Sequence, residues 1–145
     1  MRPGAERRVR ESFARQAYMR LIGAGLTHVS PGEVDIELPF RDDLVQQHGY
    51  LHAGVTTAIA DSACGYAALS LMPDDAAVLS VEFKVNMLAP AKGVRLLARG
   101  RVLRSGRTIT VCRGDVLAFD DRGDARSVLE MLATMMTAKD RGIVD

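Results

Sequence analysis

The chain has 145 residues, the usual size of a single domain (here 1–145) and enough to bury one sizeable core. Hydrophobic residues make up 48% and charged residues 26%, which is typical of a globular protein and gives no sign of disorder or of a membrane span. Lys and Arg number 19 against 18 Asp and Glu, so the net charge of +1 provides no broad positive field for nucleic acid or an anionic membrane.

The N-terminal segment does not have the residue pattern of a secretory signal. Residues 1–10 are rich in arginine, but no apolar stretch follows them, so we expect a cytoplasmic protein. From Glu6 to Ile22, apolar residues recur at four-residue spacing and stop before Gly23. This spacing predicts an amphipathic helix.

Two short strands are predicted next, at Leu26–Ser30 and Glu33–Leu38. The second segment alternates apolar and acidic side chains, which is typical of a strand with one buried face. Pro31-Gly32 lies between the two segments and favours a tight turn. The sequence therefore predicts a β-hairpin.

A buried helix is predicted at Gly54–Leu71. Between Leu44 and Pro73 the only formally charged side chain is Asp61, and small apolar residues cover every side of the helix. A helix that is apolar all round is a buried one, and small side chains suit a helix wrapped closely by a curved sheet. Cys64 and Cys112 lie in apolar segments without the spacing of a metal site, so we expect reduced, buried thiols.

The C-terminal half alternates apolar and polar residues with a period of two, which predicts four strands. Turn residues punctuate these segments, so we expect an antiparallel meander. Together with the preceding elements, this order predicts an α+β fold. The four predicted strands are Leu79–Met87, Val94–Arg104, Arg107–Phe119 and Ala125–Thr137.

Asp61 is the residue that most strongly indicates function. Burying an ionised carboxylate is costly, and no Lys or Arg lies within one helical turn to pair with it. A capped or ion-paired structural acid is the alternative interpretation. Isolated acids of this kind are typical of functional sites, so we interpret Asp61 as a catalytic candidate.

The segment before the buried helix indicates an anion site. Gly49, Ala53 and Gly54 leave room for close backbone approach, and a helix start presents N–H groups without intrahelical partners. Such donors can stabilise a developing oxyanion. The alternative is that the glycines only form a tight turn.

A set of motifs follows the chain with characteristic spacing between roughly residues 39 and 137: Gln46, Gly49, Leu51-His52-Ala53-Gly54, Asp61, Ser80-Val81-Glu82 and Met87-Leu88-Ala89-Pro90-Ala91. These motifs resemble those of the hotdog-fold acyl-CoA thioesterases of the phenylacetate-pathway type. In that family a long helix is wrapped by an antiparallel sheet.

The resemblance implies an enzyme that hydrolyses an aromatic or medium-chain acyl-CoA to the free acid and CoA. It implies no metal or redox cofactor, and no nucleic acid or membrane partner. Two protomers are expected to form a homodimer with two sites, and two dimers are expected to form a homotetramer.

The resemblance also implies roles for individual residues. Asp61 is the acid, which attacks the thioester or activates a water, and Ser80 holds it in register. Gln46 is the polar amide that positions the water or the carbonyl. The family usually has glycine where this chain has Ala53, yet the backbone N–H of Ala53 or Gly54 can still bind the oxyanion.

Other residues are weaker candidates. His52 either anchors the turn or orients the acyl group. Lys92, Arg104 and Arg107 lie in a loop and a turn and are either contacts for the CoA phosphates or solvated surface charges.

Two other functions are compatible with the same pattern. An enoyl-CoA hydratase or dehydratase on this fold would use His48 with Asp61 for proton transfer. A non-catalytic acyl-CoA-binding module would use neither residue chemically.

The predicted site requires two chains. Asp61 lies eight residues beyond Ala53, which at about 1.5 Å per residue separates them by roughly 12 Å along one helix. Groups that act on one carbonyl must come within about 3 to 3.5 Å of it. We therefore expect Ala53 and Gln46 of one protomer to meet Asp61 and Ser80 of its partner.

Overall fold

The computed structural model describes residues 4–139, 141–143 and 145. The strands form one curved antiparallel sheet in the order β1-β2-β4-β5-β6-β3, with α3 packed against β2 to β6. No helix among the described residues is long and apolar enough to cross a membrane. The elements are α1 (Ala5–Arg15), α2 (Ala17–Ile22), β1 (Gly25–Ser30), β2 (Glu33–Pro39), a 3-10 turn (Asp42–Leu44), α3 (Ala53–Leu69), β3 (Ala77–Met87), β4 (Arg95–Ser105), β5 (Ile109–Phe119) and β6 (Ala125–Ala138).

The predicted α+β fold, the hairpin and the buried helix are confirmed, but the meander of four strands is wrong. Only β4, β5 and β6 follow one another across the sheet, whereas β3 pairs with β6 and forms an edge. Strand β4 pairs with β2 instead. Alternation predicts that a segment is a strand, but it carries no information about which strand becomes its neighbour.

The predicted helix Glu6–Ile22 is in fact two helices, α1 and α2, separated at Gln16. Gln16 has an extended backbone, with φ −73° and ψ 98°, and its N–H donates to Phe13 O at 3.0 Å. The break lets the Phe13 ring pack edge-on against Tyr66 of α3, with ring centroids 5.7 Å apart. Tertiary packing therefore overrides a continuous helical pattern.

Helix α3 lies unusually close to the sheet. A Cβ atom added to Gly100 of β4 would be 2.3 Å from the backbone carbonyl of Ala63, and one added to Gly114 of β5 would be 2.8 Å from Cys64 Sγ. These glycines therefore allow the small side chains of α3 to pack directly on β4 and β5. Cys64 and Cys112 are free and fully buried, as predicted.

We predict that Gly100→Ala lowers the free energy of unfolding by about 2 kcal/mol or more, because the added methyl must displace the backbone of α3. Gly25→Ala is the matched control, since a Cβ atom at this strand glycine meets no atom within 4 Å. Urea unfolding of both variants measures the difference. Equal stability of the two variants would show that the close contact of α3 with β4 does not limit the fold.

Candidate active site

The start of α3 presents one unused backbone donor. His52 caps the helix, and its Nδ1 accepts a hydrogen bond from the Gly54 N–H at 2.8 Å. The His52 carbonyl accepts from the Val55 N–H at 2.9 Å. The Ala53 N–H has no hydrogen-bond partner among the described residues. Of the two predicted oxyanion donors, Ala53 is therefore available and Gly54 is engaged in the cap.

The amide of Gln46 is oriented by the turn that precedes the helix. Its Oε1 accepts from the His48 backbone N–H, and its own backbone N–H donates to Tyr50 O at 2.8 Å. Gly49 closes this turn with a φ of +80°, a conformation that favours glycine. Because the side-chain oxygen is engaged, the NH₂ group of Gln46 is left to donate to a ligand.

Gln46 and Ala53 line one cavity of about 530 Å³, which we term the Ala53 cavity. Its walls are mainly apolar and come from the loop that follows β3. They include Met87, Leu88 and Pro90. The cavity therefore combines an apolar surface with an N–H and an amide that can donate hydrogen bonds.

Asp61 and Ser80 line a different cavity, of about 150 Å³, which we term the Asp61 cavity. Ser80 Oγ donates a hydrogen bond of 2.7 Å to Asp61 Oδ1. Burial raises the pKa of the Asp61 carboxyl above its ordinary value, and the Ser80 hydrogen bond opposes this effect only in part. No cation pairs with Asp61 in the described part of the chain. Asp61 is thus a carboxylate with raised basicity and one free oxygen.

Six further residues line the Asp61 cavity, and none was predicted from the sequence as a site residue. Three of them are Gln16 from the break between α1 and α2, Tyr66 five residues beyond Asp61 on α3, and Asp145. Asp145 accepts hydrogen bonds from Ser12 Oγ at 2.9 Å and from the Val78 N–H at 2.7 Å. These contacts join distant parts of the chain, so no local sequence pattern reveals them.

One chain does not assemble the complete predicted site. No residue lines both the Ala53 cavity and the Asp61 cavity. His48, the candidate base of a hydratase, has an exposed side chain beside Gln47 and makes no contact with Asp61. Each protomer therefore carries two separate groups of predicted site residues.

The three candidate phosphate contacts also lie apart. Lys92 Nζ is 6.0 Å from the centroid of the Tyr50 ring, at the edge of the Ala53 cavity. Arg104 and Arg107 lie at the opposite end of β4, and at about 3.3 Å per residue the two ends are roughly 30 Å apart. Within one chain the three cations do not form a cluster. Among the described residues, no group of His, Cys, Asp and Glu is arranged to hold a metal ion.

Comparison with known proteins identifies the family. The sequence pattern of the thioesterase superfamily matches residues 48–125, more than half of the chain. The chain belongs to the thioesterase superfamily. The match includes the helix start and Asp61, and it confirms the resemblance that the sequence motifs indicated.

Individual relatives agree with this assignment. A thioesterase family protein from Silicibacter pomeroyi is 48% identical, with a TM-score of 0.92 over 94% of this chain and 99% of its own. A 1,4-dihydroxy-2-naphthoyl-CoA hydrolase of Listeria monocytogenes is 27% identical over 90 residues, 62% of this chain and 73% of its own. The E. coli PaaI protein of the phenylacetic acid degradation operon is 16% identical and shares the fold, with a TM-score of 0.81 over 92% of this chain and 93% of its own. The hotdog fold and the assignment as a thioester hydrolase are confirmed.

We predict that Ser80→Ala raises the pKa of the Asp61 carboxyl further, because it removes the hydrogen bond that stabilises the charged form. An NMR titration of the Asp61 carboxyl carbon measures the change. The acidic limb of the pH–rate profile should move to higher pH with it, since Asp61 must lose its proton to act as a base or nucleophile. Ser62→Ala is the matched control, because Ser62 lines the same cavity but donates to Gln16 instead. An unchanged or lowered pKa in Ser80→Ala would contradict the assigned role of Ser80.

Proposed function

We propose that this thioesterase hydrolyses an aromatic or medium-chain acyl-CoA at a site shared between two protomers. The observation that carries the proposal is the Asp61 carboxylate, which is half-buried, hydrogen-bonded to Ser80 and without an ion pair to any described residue. Burial without a cation keeps a carboxylate basic, as a general base or nucleophile requires. The free N–H of Ala53 supplies the complementary donor.

In the proposed reaction, the thioester carbonyl accepts hydrogen bonds from the Ala53 N–H and from the NH₂ group of Gln46. As a general base, Asp61 takes a proton from a water while the water oxygen bonds to the carbonyl carbon. The negative charge that develops on the carbonyl oxygen faces these donors. Collapse then breaks the C–S bond, and the proton passes to the departing thiolate.

As a nucleophile, Asp61 would itself bond to the carbonyl carbon. The thiolate would leave first, and water would then hydrolyse the resulting anhydride. Both routes use the same donors and the same free oxygen of Asp61. Ser80 holds the other oxygen in either case.

The exposed edge strand β3 supports the pairing of two protomers. Val81, Met87 and the adjacent Leu88 are apolar but each is at least half-exposed, with 50–53% of the side-chain surface accessible. An unpaired edge of this kind is suited to pairing with another strand. Antiparallel pairing about a two-fold axis near Phe83 and Lys84 places Ser80 opposite Met87 of the partner subunit. The Asp61 cavity of one protomer would then adjoin the partner's Ala53 cavity, and two such dimers would form the proposed tetramer.

The sizes of the two cavities bear on the acyl group. The Asp61 cavity is small, at about 150 Å³, and polar groups such as Gln16, Ser62 and Asp145 line it, so it suits a water molecule better than an apolar ring. The Ala53 cavity adds apolar walls that suit either a ring or a hydrocarbon chain. The Listeria monocytogenes relative is named for 1,4-dihydroxy-2-naphthoyl-CoA, an aromatic acyl thioester, which also supports an aromatic substrate.

The same two-fold pairing brings the separated cations together. It reverses the direction of the sheet, so the end of one protomer that carries Lys92 adjoins the end of the partner that carries Arg104 and Arg107. We propose that cations from both protomers contact the CoA phosphates. Such contacts act alike in the ground and transition states and therefore change mainly KM.

We predict that the wild-type protein releases thiol from at least one of benzoyl-, phenylacetyl-, octanoyl- and crotonyl-CoA. Asp61→Asn should lower kcat at least about a hundredfold while the protein stays folded, because the base or nucleophile is lost. Asp121→Asn, the same change at an exposed acid in a turn, should leave kcat unaltered.

Thiol release followed with a colorimetric reagent, together with the enoyl absorbance of crotonyl-CoA, measures these outcomes. Near-normal turnover by folded Asp61→Asn would reject the site. Loss of enoyl absorbance without thiol release would identify a hydratase instead.

A further inference from the structure

A third cavity, of about 570 Å³, lies beyond the C-terminal end of α3, and we term it the tail cavity. Its walls come from the residues that follow α3, from the turn between β4 and β5, and from the end of β6 with the residues after it. This volume is within the range of about 300 to 1,000 Å³ that is typical of small-molecule sites. The proposed hydrolytic chemistry does not use this cavity.

Among the described residues, every charged side chain that lines the tail cavity is a cation. They are Arg107, Lys139 and Arg141. Lys139 is paired with Asp75, with Nζ 2.9 Å from Oδ1. Arg107 and Arg141 have neither an ion pair nor a hydrogen bond to any residue that the structure describes. The described lining of the cavity therefore carries an excess of positive charge, although the net charge of the whole chain is only +1.

The C-terminal end of a helix disfavours binding of an anion, because its last carbonyl groups carry partial negative charge. Here that charge is opposed by Arg8, whose guanidinium donates to Leu69 O at 2.9 Å and to Pro73 O at 2.7 Å. The carbonyls at the end of α3 are therefore capped by a further cation. Arg8 is also paired with Asp74, with Nη1 3.4 Å from Oδ1, so the positive character of the cavity comes from Arg107 and Arg141.

The wall of the cavity also includes groups other than cations. Thr108 carries a hydroxyl that can donate to a phosphate oxygen, and Leu71 and Met136 provide an apolar surface on which a planar ring can pack. Arginine is well suited to binding phosphate, because two N–H groups of its planar guanidinium can donate parallel hydrogen bonds to two phosphate oxygens. Together, these features suit a ligand that combines phosphate groups with an aromatic base.

The position of the cavity relates it to the active site. Ser80 pairs with Met135, Met135 with Thr110, and Thr110 with Ser105, so the tail cavity lies at the same end of the sheet as Ser80. Leu71 lies ten residues beyond Asp61, which corresponds to roughly 15 Å along the direction of the helix. A ligand that reaches both places must be long, with its reactive group at one end and its phosphates at the other.

We infer that the tail cavity binds the phosphates of the nucleotide end of the acyl-CoA substrate, with Arg107 and Arg141 as the contacting cations. This inference rests on the proposed acyl-CoA substrate. Of the three cations that the sequence predicted as phosphate contacts, only Arg107 lines the tail cavity; Arg104 and Lys92 do not. Arg141 and Lys139 join the site from a segment that the sequence motifs do not cover.

The test compares Arg107→Gln, Arg141→Gln and the double variant with the matched control Arg122→Gln, the same change at an exposed arginine in the turn between β5 and β6. Each protein is assayed with an acyl-CoA, with the same acyl group on dephospho-CoA, which lacks the 3′-phosphate, and with the acyl-pantetheine. Binding of 3′,5′-ADP is measured separately by calorimetry, and inorganic phosphate is the reference anion. The calorimetric measurement does not depend on hydrolysis.

The double variant should raise KM for the acyl-CoA about tenfold or more with kcat unchanged, because charge-assisted contacts to phosphate are lost. KM for the acyl-pantetheine should stay constant, and 3′,5′-ADP should inhibit the wild-type protein competitively and bind the double variant at least about tenfold more weakly. Arg122→Gln should behave as wild type.

An equal rise in KM for the acyl-pantetheine, or an unchanged affinity of the double variant for 3′,5′-ADP, would overturn the inference. Binding of 3′,5′-ADP that depends on both arginines but does not compete with acyl-CoA would instead identify a site for a free nucleotide, which also overturns it. A wild-type protein that hydrolyses no acyl-CoA would reject the proposed substrate. If that protein still bound 3′,5′-ADP and the double variant did not, phosphate binding in the tail cavity would be supported independently of the substrate.

Discussion

Close contact between helix α3 and strand β4 determines where the reactive groups of this protein lie. Gly100 allows the backbone of α3 at Ala63 to rest directly on the sheet. A rigid α-helix fixes the separation of Ala53 and Asp61 at roughly 12 Å, and no side-chain rotation removes that distance. One protomer therefore holds the proposed oxyanion donor and the proposed acid in two separate cavities. Within this fold, the two groups can act on one carbonyl only when a second chain supplies the missing half.

The environment of Asp61 reflects a compromise between stability and reactivity. Burial disfavours the ionised carboxylate and raises its pKa, and a neighbouring cation would have relieved that cost. A cation would also have lowered the basicity on which proton transfer or nucleophilic attack depends. The chain uses the neutral hydroxyl of Ser80 instead, which holds the orientation of Asp61 and cancels only part of the effect of burial. Active sites commonly keep such locally unfavourable groups because function needs them.

Much of this architecture could be predicted from the sequence, because period-two alternation and an all-round apolar helix are local signals. The bounds of the strands, from β1 to β6, follow from that alternation to within about two residues. Pairing of β3 with β6 could not be predicted, since strand neighbours depend on the whole chain. The break at Gln16 could not be predicted, because the apolar residues keep helical spacing across it. The hydrogen bond from the Gly54 N–H to His52 could not be predicted either, because it depends on the rotamer of His52. Asp145 reaches the Asp61 cavity only through tertiary contacts, for which the sequence carries no local pattern.

The most direct test of the shared site is complementation between two inactive chains. Ala53→Pro removes the free N–H at the first position of α3, where proline is well tolerated, and Asp61→Ala removes the acid. Each variant alone should be nearly inactive, whereas subunit exchange after partial unfolding should produce mixed dimers with one intact site. Because mixed dimers are about half of the population at random exchange, activity should recover to roughly a quarter of that of wild-type protein treated in the same way. If exchange is verified by mass spectrometry and no activity returns, the acid and the oxyanion donor do not meet across two chains.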